Sequence, residues 1–455
     1  MSGHSHAEQE HTGPGYASVQ DAREQPPEEF VYVAALYEGT GINRPDFIAV
    51  VDVNPSSPSY GQIVHRTEMP NIGDELHHFG WNACSSACHS QLKRDTMIVP
   101  GVRSSRLHII DISEPRTPRI KNVIEGEEVK EKLGLSAPHT VHCMPGDIIT
   151  ISMLGDADGN LPGGFAVLDA RDFSIAERWE REKNGQEFMY DFWYQPRLNT
   201  LISSEWASPN TFLEGFNPAD VAAGKYGRRL HFWDLERHAK VQTLDLGDEG
   251  WIPLEIRWQH DPDSAQGFVG ATLSSNIIRF HRDNGSWAAG KVIDIPNEEL
   301  QGWPLEGGVP GLITDLVLSL DDKDLFFSNW LHGDVRHYDV SDPSNPQLRS
   351  QVWLGGLLGR DGGHPKARRP LNGGPQMIQN SLDGNRVYVT NSLFSTWDNQ
   401  FYPGIEGWLV KLERQPDGKY TLDPDFFVDF HEQADGARPH EIHLPSGDCT
   451  TEIFQ

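Results

Sequence analysis

The chain repeats one pattern along most of its length: an apolar segment, a tight turn rich in Gly, Pro, Asp or Asn, and a second apolar segment. Seven copies align, among them HTVHCMPGDIITISML (139–154), TDLVLSLDDKDLFFSNW (314–330) and HEIHLPSGDCTTEIF (440–454). Each copy continues into a third strand that ends in an acidic turn, and a shorter fourth strand usually follows. Such units, spaced at roughly 50 to 65 residues, are typical of propeller blades. The repeats therefore predict an all-β fold, a seven-bladed β-propeller.

One repeat is divided between the two ends of the chain. Its first strand begins at His440, whereas its later strands are FVYVAALYE (30–38) and DFIAVVDV (46–53). Pairing these strands within one blade closes the ring and removes a free sheet edge. A single propeller domain is thus predicted over residues 26–455. Residues 1–25 are polar, contain Gly and Pro, and predict a disordered tail that carries His4, His6 and His11.

The charge and hydropathy patterns exclude several classes of partner. The formal net charge is −28, which disfavours binding to nucleic acids and anionic membrane surfaces. No apolar run is long enough to predict a membrane span. The first residues lack the basic and apolar regions of a secretory signal, so we expect a cytoplasmic protein.

The four cysteines give no clear motif. Without an export signal, a disulfide-based scaffold is not expected. Cys84 and Cys88 form C-S-S-A-C, which matches neither a thioredoxin-type C-x-x-C nor half of a zinc ribbon. They are predicted in the loop after the first strand of their blade, on the face opposite the strand starts. Cys143 and Cys449 are interpreted as small buried hydrophobic residues.

Polar residues recur at the start of the first strand of each blade. In a propeller these strands line the central channel, so their starts and the tips of the hairpins between second and third strands converge at one mouth. Neutral imidazoles gathered there suit copper, zinc, iron or nickel, and neighbouring acids suit the orientation of the imidazole rings. The predicted strand starts are His77 or His78, His139, Asp191, Glu255, Asp315, Gln376 and His440, and the hairpin tips add Glu205, Trp206 and His332.

Several of these residues have alternative roles that the sequence leaves open. The alternative role of Asp191 and Asp315 is to accept hydrogen bonds from backbone amides or channel water. His142 and His443 follow His139 and His440 by three positions, an odd offset, so we expect them on the other side of the strand, packed between blades. The histidines within third strands are expected to be structural: His108, His231 and His337.

Several long motifs resemble the selenium-binding protein family, which includes copper-dependent methanethiol oxidases. They include DELHHFGWNACSSAC (74–88), IPLEIRWQHDPDSAQGFVG (252–270) and NGGPQMIQNSLDGNRVYVTNSL (372–393), and the resemblance extends from about Tyr16 to Gln455. It implies a seven-bladed propeller, a copper cofactor, and oxidation of methanethiol by O2 and water to formaldehyde, hydrogen sulfide and hydrogen peroxide. Position by position, it implies metal ligands at His77, His78, His139, His332 and His440.

The sequence departs from the family pattern in two places. Animal members carry a cysteine, proposed to hold selenium, in the segment that matches SPSYGQIVHR (57–66), and this position is Gly61 here. Selenium binding through that thiol is therefore not expected. The family's C-S-S-C is lengthened to C-S-S-A-C, which weakens any assignment of a dithiol role.

The expected mechanism assigns proton transfer to an acid near the metal. Glu255 or Asp315 would accept the proton, and Trp206, Trp330 and Phe79 would wall a small apolar pocket. A propeller that binds selenium, a metal or a protein without turnover is the alternative function. A zinc-dependent lactonase-type hydrolase is a second rival, but it would need a ligand set richer in acids.

Overall fold

Seven four-stranded antiparallel sheets form the ring of a β-propeller, as predicted. The computed structural model describes residues 12–87, 89–181, 186–304, 306–360 and 362–455. Blade 1 contains strands from both ends of the chain, and the following blades take the strands in sequence order. Blade 1 consists of β1 (Phe30–Leu36), β2 (Phe47–Asp52), β3 (Ile63–Glu68) and β28 (Arg438–His443).

Blades 2 to 4 occupy the first half of the ring. Blade 2 consists of β4 (Gly80–Trp81), β5 (Thr96–Pro100), β6 (Leu107–Asp111) and β7 (Arg119–Ile124). Blade 3 consists of β8 (Leu135–Met144), β9 (Ile148–Asp156), β10 (Gly164–Asp169) and β11 (Ile175–Arg178). Blade 4 consists of β12 (Phe192–Gln195), β13 (Thr200–Ser203), β14 (Arg229–Asp234) and β15 (Ala239–Asp245).

Blades 5 to 7 complete the ring. Blade 5 consists of β16 (Pro253–Trp258), β17 (Gln266–Ala271), β18 (Asn276–Asp283) and β19 (Ser286–Asp294). Blade 6 consists of β20 (Ile313–Leu318), β21 (Asp324–Asn329), β22 (Asp334–Asp339) and β23 (Gln347–Trp353). Blade 7 consists of β24 (Ile378–Asn380), β25 (Arg386–Thr390), β26 (Trp408–Arg414) and β27 (Tyr420–Asp429).

The ring is closed in blade 1 by the pairing of the two ends of the chain. Strand β28 is the innermost strand of this blade and runs antiparallel to β1, with Tyr32 opposite His443 and Leu36 opposite Arg438. The predicted closure is therefore confirmed. Because β28 pairs with β1, the strand from the N-terminal end of the chain has a hydrogen-bonded neighbour on its inner side.

The burial of each strand matches its position in the blade. The inner strands are buried at every position, as β8 and β16 show. The outermost strands β15 and β23 are mostly half-buried or exposed, which fits their polar sequences. Aromatic side chains fill the space between blades, for example where Phe165 and Trp179 of blade 3 meet Trp233 of blade 4 edge to face.

Helices are short and lie outside the sheets. Two of them, α2 (Gly126–Leu133) and α4 (Pro218–Ala222), fall on the helix-favouring segments EEVKEKLG (127–134) and NPADVAAGKYG (217–227). Two of the loops that carry helices, 204–228 in blade 4 and 391–407 in blade 7, matter for the site. The helices are α1 (Val19–Arg23), α2 (Gly126–Leu133), α3 (Pro209–Phe212), α4 (Pro218–Ala222), α5 (Ser395–Phe401) and α6 (Phe430–Gln433), and the 3-10 turns are Ser85–Ala87, Pro196–Leu198 and Gly247–Gly250.

The N-terminal segment differs from the predicted tail. His4, His6 and His11 lie outside the described residues. From Tyr16 onward the prediction of disorder is wrong, because Tyr16 and Ala22 are buried against blades 6 and 7 and Val19–Arg23 forms the helix α1. The Tyr16 amide donates to Ser85 Oγ across 2.9 Å, and this bond attaches the N-terminal segment to the loop between β4 and β5.

Two cysteines are joined, contrary to expectation. Cys84, in the loop between β4 and β5, forms a disulfide with Cys143 near the end of β8, with their Cα atoms 6.2 Å apart. The bond links blades 2 and 3. Cys88 lies outside the described residues, and Cys449 is buried, as predicted. No helix in the described ranges is long and apolar enough to cross a membrane.

Candidate metal centre

Four of the five predicted histidine ligands meet at one end of the central channel. His77 and His78 directly precede β4, His139 lies in β8, and His440 lies in β28. Their ring centroids are 3.9 Å apart for His77 and His440 and 4.1 Å for His78 and His139. The pairs are close to each other, with 5.8 Å between His77 and His139 and 5.9 Å between His78 and His440. Three blades therefore contribute to one four-histidine cluster.

Some ring nitrogens of the cluster have hydrogen-bond partners and others have none. Nδ1 of His440 donates to the Ser392 carbonyl oxygen across 2.6 Å, and Nδ1 of His139 lies 3.1 Å from Thr140 Oγ1. In the described part of the chain, Nε2 of all four rings is buried without a hydrogen-bond partner. Unpaired buried nitrogens are costly, so their presence together indicates a ligand that they would bind.

Burial keeps the four imidazoles neutral. Desolvation lowers the pKa of each ring, to about 4 for His440, and repulsion within the cluster lowers the pKa of the other three further. Neutral rings offer the lone pairs that a metal ion requires. Within the described ranges, no three His, Cys, Asp or Glu side chains already stand in a metal-holding arrangement. The closely packed ring pairs would have to rotate to direct their Nε2 atoms at one point.

His332 is not brought to the cluster. It lies in the hairpin between β21 and β22, where Nε2 donates to the Val309 carbonyl oxygen across 2.9 Å. The charged groups that act on its pKa are Asp334, Arg336 and Glu298, and none belongs to the cluster. The structure therefore brings together four of the five predicted histidines. The hairpin that carries His332 packs on the loop before β20, away from the four-histidine cluster.

Glu255 is one of the acids that border the cluster. Its Oε1 lies 3.5 Å from His78 Nε2, and its Oε2 lies 3.1 Å from Arg257 Nη2. Neither oxygen has a hydrogen bond of good geometry among the described residues. Burial, followed by repulsion from Asp191, raises the pKa of Glu255 well above its usual range. Its position and its unpartnered oxygens fit a group that exchanges protons with a bound molecule.

Asp315, the other predicted proton acceptor, performs a different task. Its Oδ2 accepts a hydrogen bond from the Ile378 amide of the next blade across 2.7 Å, and its Oδ1 faces Arg257. Asp191 likewise accepts from the Ile256 amide across 2.7 Å. The alternative that these acids bind backbone amides is therefore confirmed, and both connect neighbouring blades around the channel.

A small cavity adjoins the cluster. Its volume is about 20 Å³. His77 forms one side, and the remaining wall is largely apolar. Of the three residues predicted to wall a pocket, only Trp206 does so. Trp330 is buried elsewhere, and Phe79 packs on His443 and Trp81. The lining residues used below are Tyr190, Trp206, Thr272, Leu393, Phe394 and Trp397.

Sequence reasoning missed Tyr190 and the blade 7 residues of this cavity. The Tyr190 ring lies 4.2 Å from that of His139, and burial together with nearby Glu255 raises its pKa well above the usual range. Its position directly before Asp191, already assigned to the channel mouth, was the available signal. In blade 7, the signal was the aromatic density of NSLFSTWDNQF (391–401) within a hairpin.

The histidines assigned to structural roles are confirmed in them. His142 is buried against Phe192 and Trp193, with ring centroids 5.1 Å apart in each case. His231 pairs with Glu205, which also accepts from two backbone amides and so does not reach the cluster. His108 contacts Asp74, His337 contacts Asp324, and His443 contacts Asp448.

Comparison with known proteins agrees with this architecture. A model of the 56kDa selenium binding protein family matches residues 10–455. A methanethiol oxidase of Xenopus laevis is 50% identical and one of Homo sapiens is 48% identical, each over 97% of this chain and 98% of the relative. A crystal structure of a hypothetical selenium-binding protein from Sulfolobus tokodaii superimposes with a TM-score of 0.92 at 48% identity, covering 97% of this chain and 98% of that one. The chain belongs to the 56kDa selenium binding protein family, as its motifs indicated.

Proposed function

We propose that the chain oxidises methanethiol with O2 and water to formaldehyde, hydrogen sulfide and hydrogen peroxide. The observation that carries this proposal is the convergence of four neutral, buried imidazoles beside a small apolar cavity. The relatives named methanethiol oxidase, at 50% and 48% identity over nearly the full length, support the same activity. The reaction transfers two electrons from the methyl carbon to O2.

We propose copper as the metal, held by His77, His78, His139 and His440. The donor set fits, because four buried Nε2 atoms lack hydrogen-bond partners while neighbouring groups hold several Nδ1 atoms. One of these neighbours is Glu441, whose Oε1 lies 3.3 Å from His78 Nδ1. When bound, copper would supply affinity for the thiol sulfur and a route for electrons to O2.

The cavity would bind the methyl group and exclude bulk water. Its volume of about 20 Å³ corresponds to one or two water-sized atoms. Methanethiol, with one carbon and one sulfur as its only heavy atoms, is in this size class. The apolar wall favours the methyl group, whereas the imidazole side favours the sulfur.

Glu255 is the residue of this chain placed to accept a proton. Oxidation must remove protons from the S–H and C–H bonds, and the unpartnered Oε1 faces the cluster at His78. Arg257 orients the carboxyl group through its contact with Oε2. Because the pKa of Tyr190 is raised, its hydroxyl stays protonated at neutral pH and supplies a neutral donor at the edge of the cavity.

The experiment measures copper content and sulfide release in the purified wild type and in single variants. His139→Ala and His440→Ala are expected to lose copper and activity, because each removes a free Nε2 atom. His332→Ala is the control and is expected to retain copper, because His332 lies outside the cluster. Thermal unfolding checks that all three fold. Full copper content in His139→Ala and His440→Ala, or no sulfide from the copper-loaded wild type, would contradict the proposal.

A further inference from the structure

Two hairpin inserts meet above the four-histidine cluster and form its roof. One is residues 204–228 of blade 4, which carry α3 and α4, and the other is residues 391–407 of blade 7, which carry α5. Trp397 Nε1 donates to the Phe212 carbonyl oxygen across 3.2 Å, and Thr396 Oγ1 donates to that of Leu213 across 3.0 Å. Gln400 exchanges two hydrogen bonds with the backbone of Phe216, each 2.8 Å long. The two inserts are thus joined along α5.

Aromatic packing makes this roof rigid where it borders the cavity. Trp206 stacks on Phe212 with ring centroids 4.1 Å apart and lies 5.9 Å from the Trp397 ring. The Phe394 ring is 5.4 Å from the His77 ring. Aromatic rings at these separations attract one another beyond the effect of their burial, so displacing a ring is costly.

The roof is also tied to the segment that carries the cluster. Glu75, two residues before His77, accepts a hydrogen bond from the Ser395 amide across 2.6 Å. Its other oxygen pairs with Arg103 Nε, and Arg103 Nη2 donates to Ser395 Oγ and Thr396 Oγ1. Glu75 is fully buried. These hydrogen bonds therefore hold the first turn of α5 in position relative to the segment that carries His77.

We propose that Leu393, Phe394 and Trp397 of this roof set the upper size of the alkyl group on the thiol. The inference rests on the proposed function and concerns the same cavity. These three residues, all from the blade 7 insert, line the cavity, whose volume is about 20 Å³. A one-carbon thiol fills that space, and a longer alkyl chain meets the roof.

The physical basis is the cost of overpacking. Each extra methylene on the substrate has to displace a packed side chain, and such discrimination in an apolar pocket is worth about 10–200-fold per methylene. The Leu393 side chain is aliphatic. Shortening it therefore opens the cavity without removing a ring–ring contact or a side-chain hydrogen bond of the roof. The buried Thr272 hydroxyl, which has no hydrogen-bond partner in the described chain, also lines the cavity and remains in place.

The test compares methanethiol, ethanethiol and 1-propanethiol in copper-loaded wild type, Leu393→Ala and Trp397→Phe. Both variants are expected to raise the ratio of kcat/KM for ethanethiol to that for methanethiol by at least about tenfold. Phe401→Ala is the matched control, because Phe401 lies on α5 and its ring contacts Trp303, Trp330 and Trp397 but does not line the cavity. Its ratio should equal that of the wild type.

A second measurement does not depend on turnover. Crystals of the metal-free wild type, Leu393→Ala and Phe401→Ala are placed under xenon, which enters enlarged apolar cavities. Xenon beside His77 in Leu393→Ala alone would support the roof as the boundary of the cavity. Folded variants with an unchanged thiol ratio, or xenon absent from that position in Leu393→Ala, would overturn the inference. Sulfide release from methanethiol by the wild type tests the proposed function separately.

Discussion

Nδ1 of His443 donates a hydrogen bond to Oδ2 of Asp448 across 2.9 Å, within the turn that follows the last strand. Its Nε2 lies 3.3 Å from Glu441 Oε1. His440, three residues earlier, belongs to the metal cluster. The two histidines of this Pro-His-x-x-His motif therefore face different neighbours: the first faces the metal cluster, and the second packs between blades and holds the turn at the ring closure. In the same motif of blade 3, His139 joins the cluster and His142 packs between blades.

This pairing predicts a stability that declines in alkaline solution. Asp448 and Glu441 raise the pKa of His443 to about 10 against the opposing effect of burial. A raised pKa stabilises the folded state fully below the unfolded value near 6.5, and that contribution is lost as the pH rises through about 10. The free energy of unfolding should fall by up to about 1.4 kcal/mol per pH unit in this window.

Urea unfolding of the wild type and His443→Gln at pH 6.5, 8 and 9.5 measures this effect. The variant should be less stable at the lowest of these pH values and should show a smaller decline with rising pH. The other charged groups near His443 are Asp448, whose pKa is lowered, and Glu441, whose pKa is raised by burial. Parallel pH profiles for the two proteins would contradict the assignment.

The fold was predictable because its signals are local. The sequence of each blade shows an apolar strand, a turn and a second strand. Both halves of blade 1 show this pattern although they lie at opposite ends of the chain. The strand-start rule placed His139 and His440 correctly, since inner strands have one possible orientation in the ring. His332 was misplaced because the direction of a hairpin tip depends on the loop at Val309, against which it packs.

The disulfide shows a different limit of sequence reasoning. Cys84 and Cys143 are far apart in the chain and belong to neighbouring blades, and nothing in their spacing indicates that a loop and a strand end will meet. The roof residues Leu393 and Trp397 were missed for a related reason. Their role depends on contacts with the blade 4 insert, which no periodicity describes.

The roles of the two predicted acids can be separated by isosteric variants. Glu255→Gln removes a titratable group beside His78 and is expected to lower kcat by about a hundredfold or more while copper content is retained. Asp315→Asn keeps an oxygen that can accept from the Ile378 amide, so its kcat should stay within about tenfold of the wild type. Sulfide release under saturating methanethiol measures both values. Equal losses in the two variants would refute the distinction.

The contact between Glu75 and the roof predicts a change in backbone dynamics. Arg103→Met removes the charged partner of Glu75 and two donors to the first turn of α5. Hydrogen bonds to charged groups contribute about 1.5–3 kcal/mol, so amide exchange in residues 391–407 should accelerate by at least about tenfold. Hydrogen exchange with mass spectrometry measures it, with α2 (Gly126–Leu133) as the internal reference. Unchanged exchange in the roof would show that aromatic packing alone holds it.

The disulfide between Cys84 and Cys143 should make stability depend on the redox state of the buffer. It closes a loop with a sequence separation of 59 residues. A loop of that length restricts the unfolded chain by an amount worth about 4 kcal/mol in the chain-entropy estimate. Urea unfolding of a Cys88→Ser protein, which excludes exchange with the thiol four positions after Cys84 in the sequence, should therefore shift to lower urea when reductant is added. The same protein with Cys143→Ala should be insensitive to reductant, whereas Cys449→Ala, which removes the buried free thiol, should keep the full dependence.

Identical curves with and without reductant in the Cys88→Ser protein would show that the bond does not stabilise the fold. In that case the contacts of Ser85 with Tyr16 and Glu452 would account for the order of this loop.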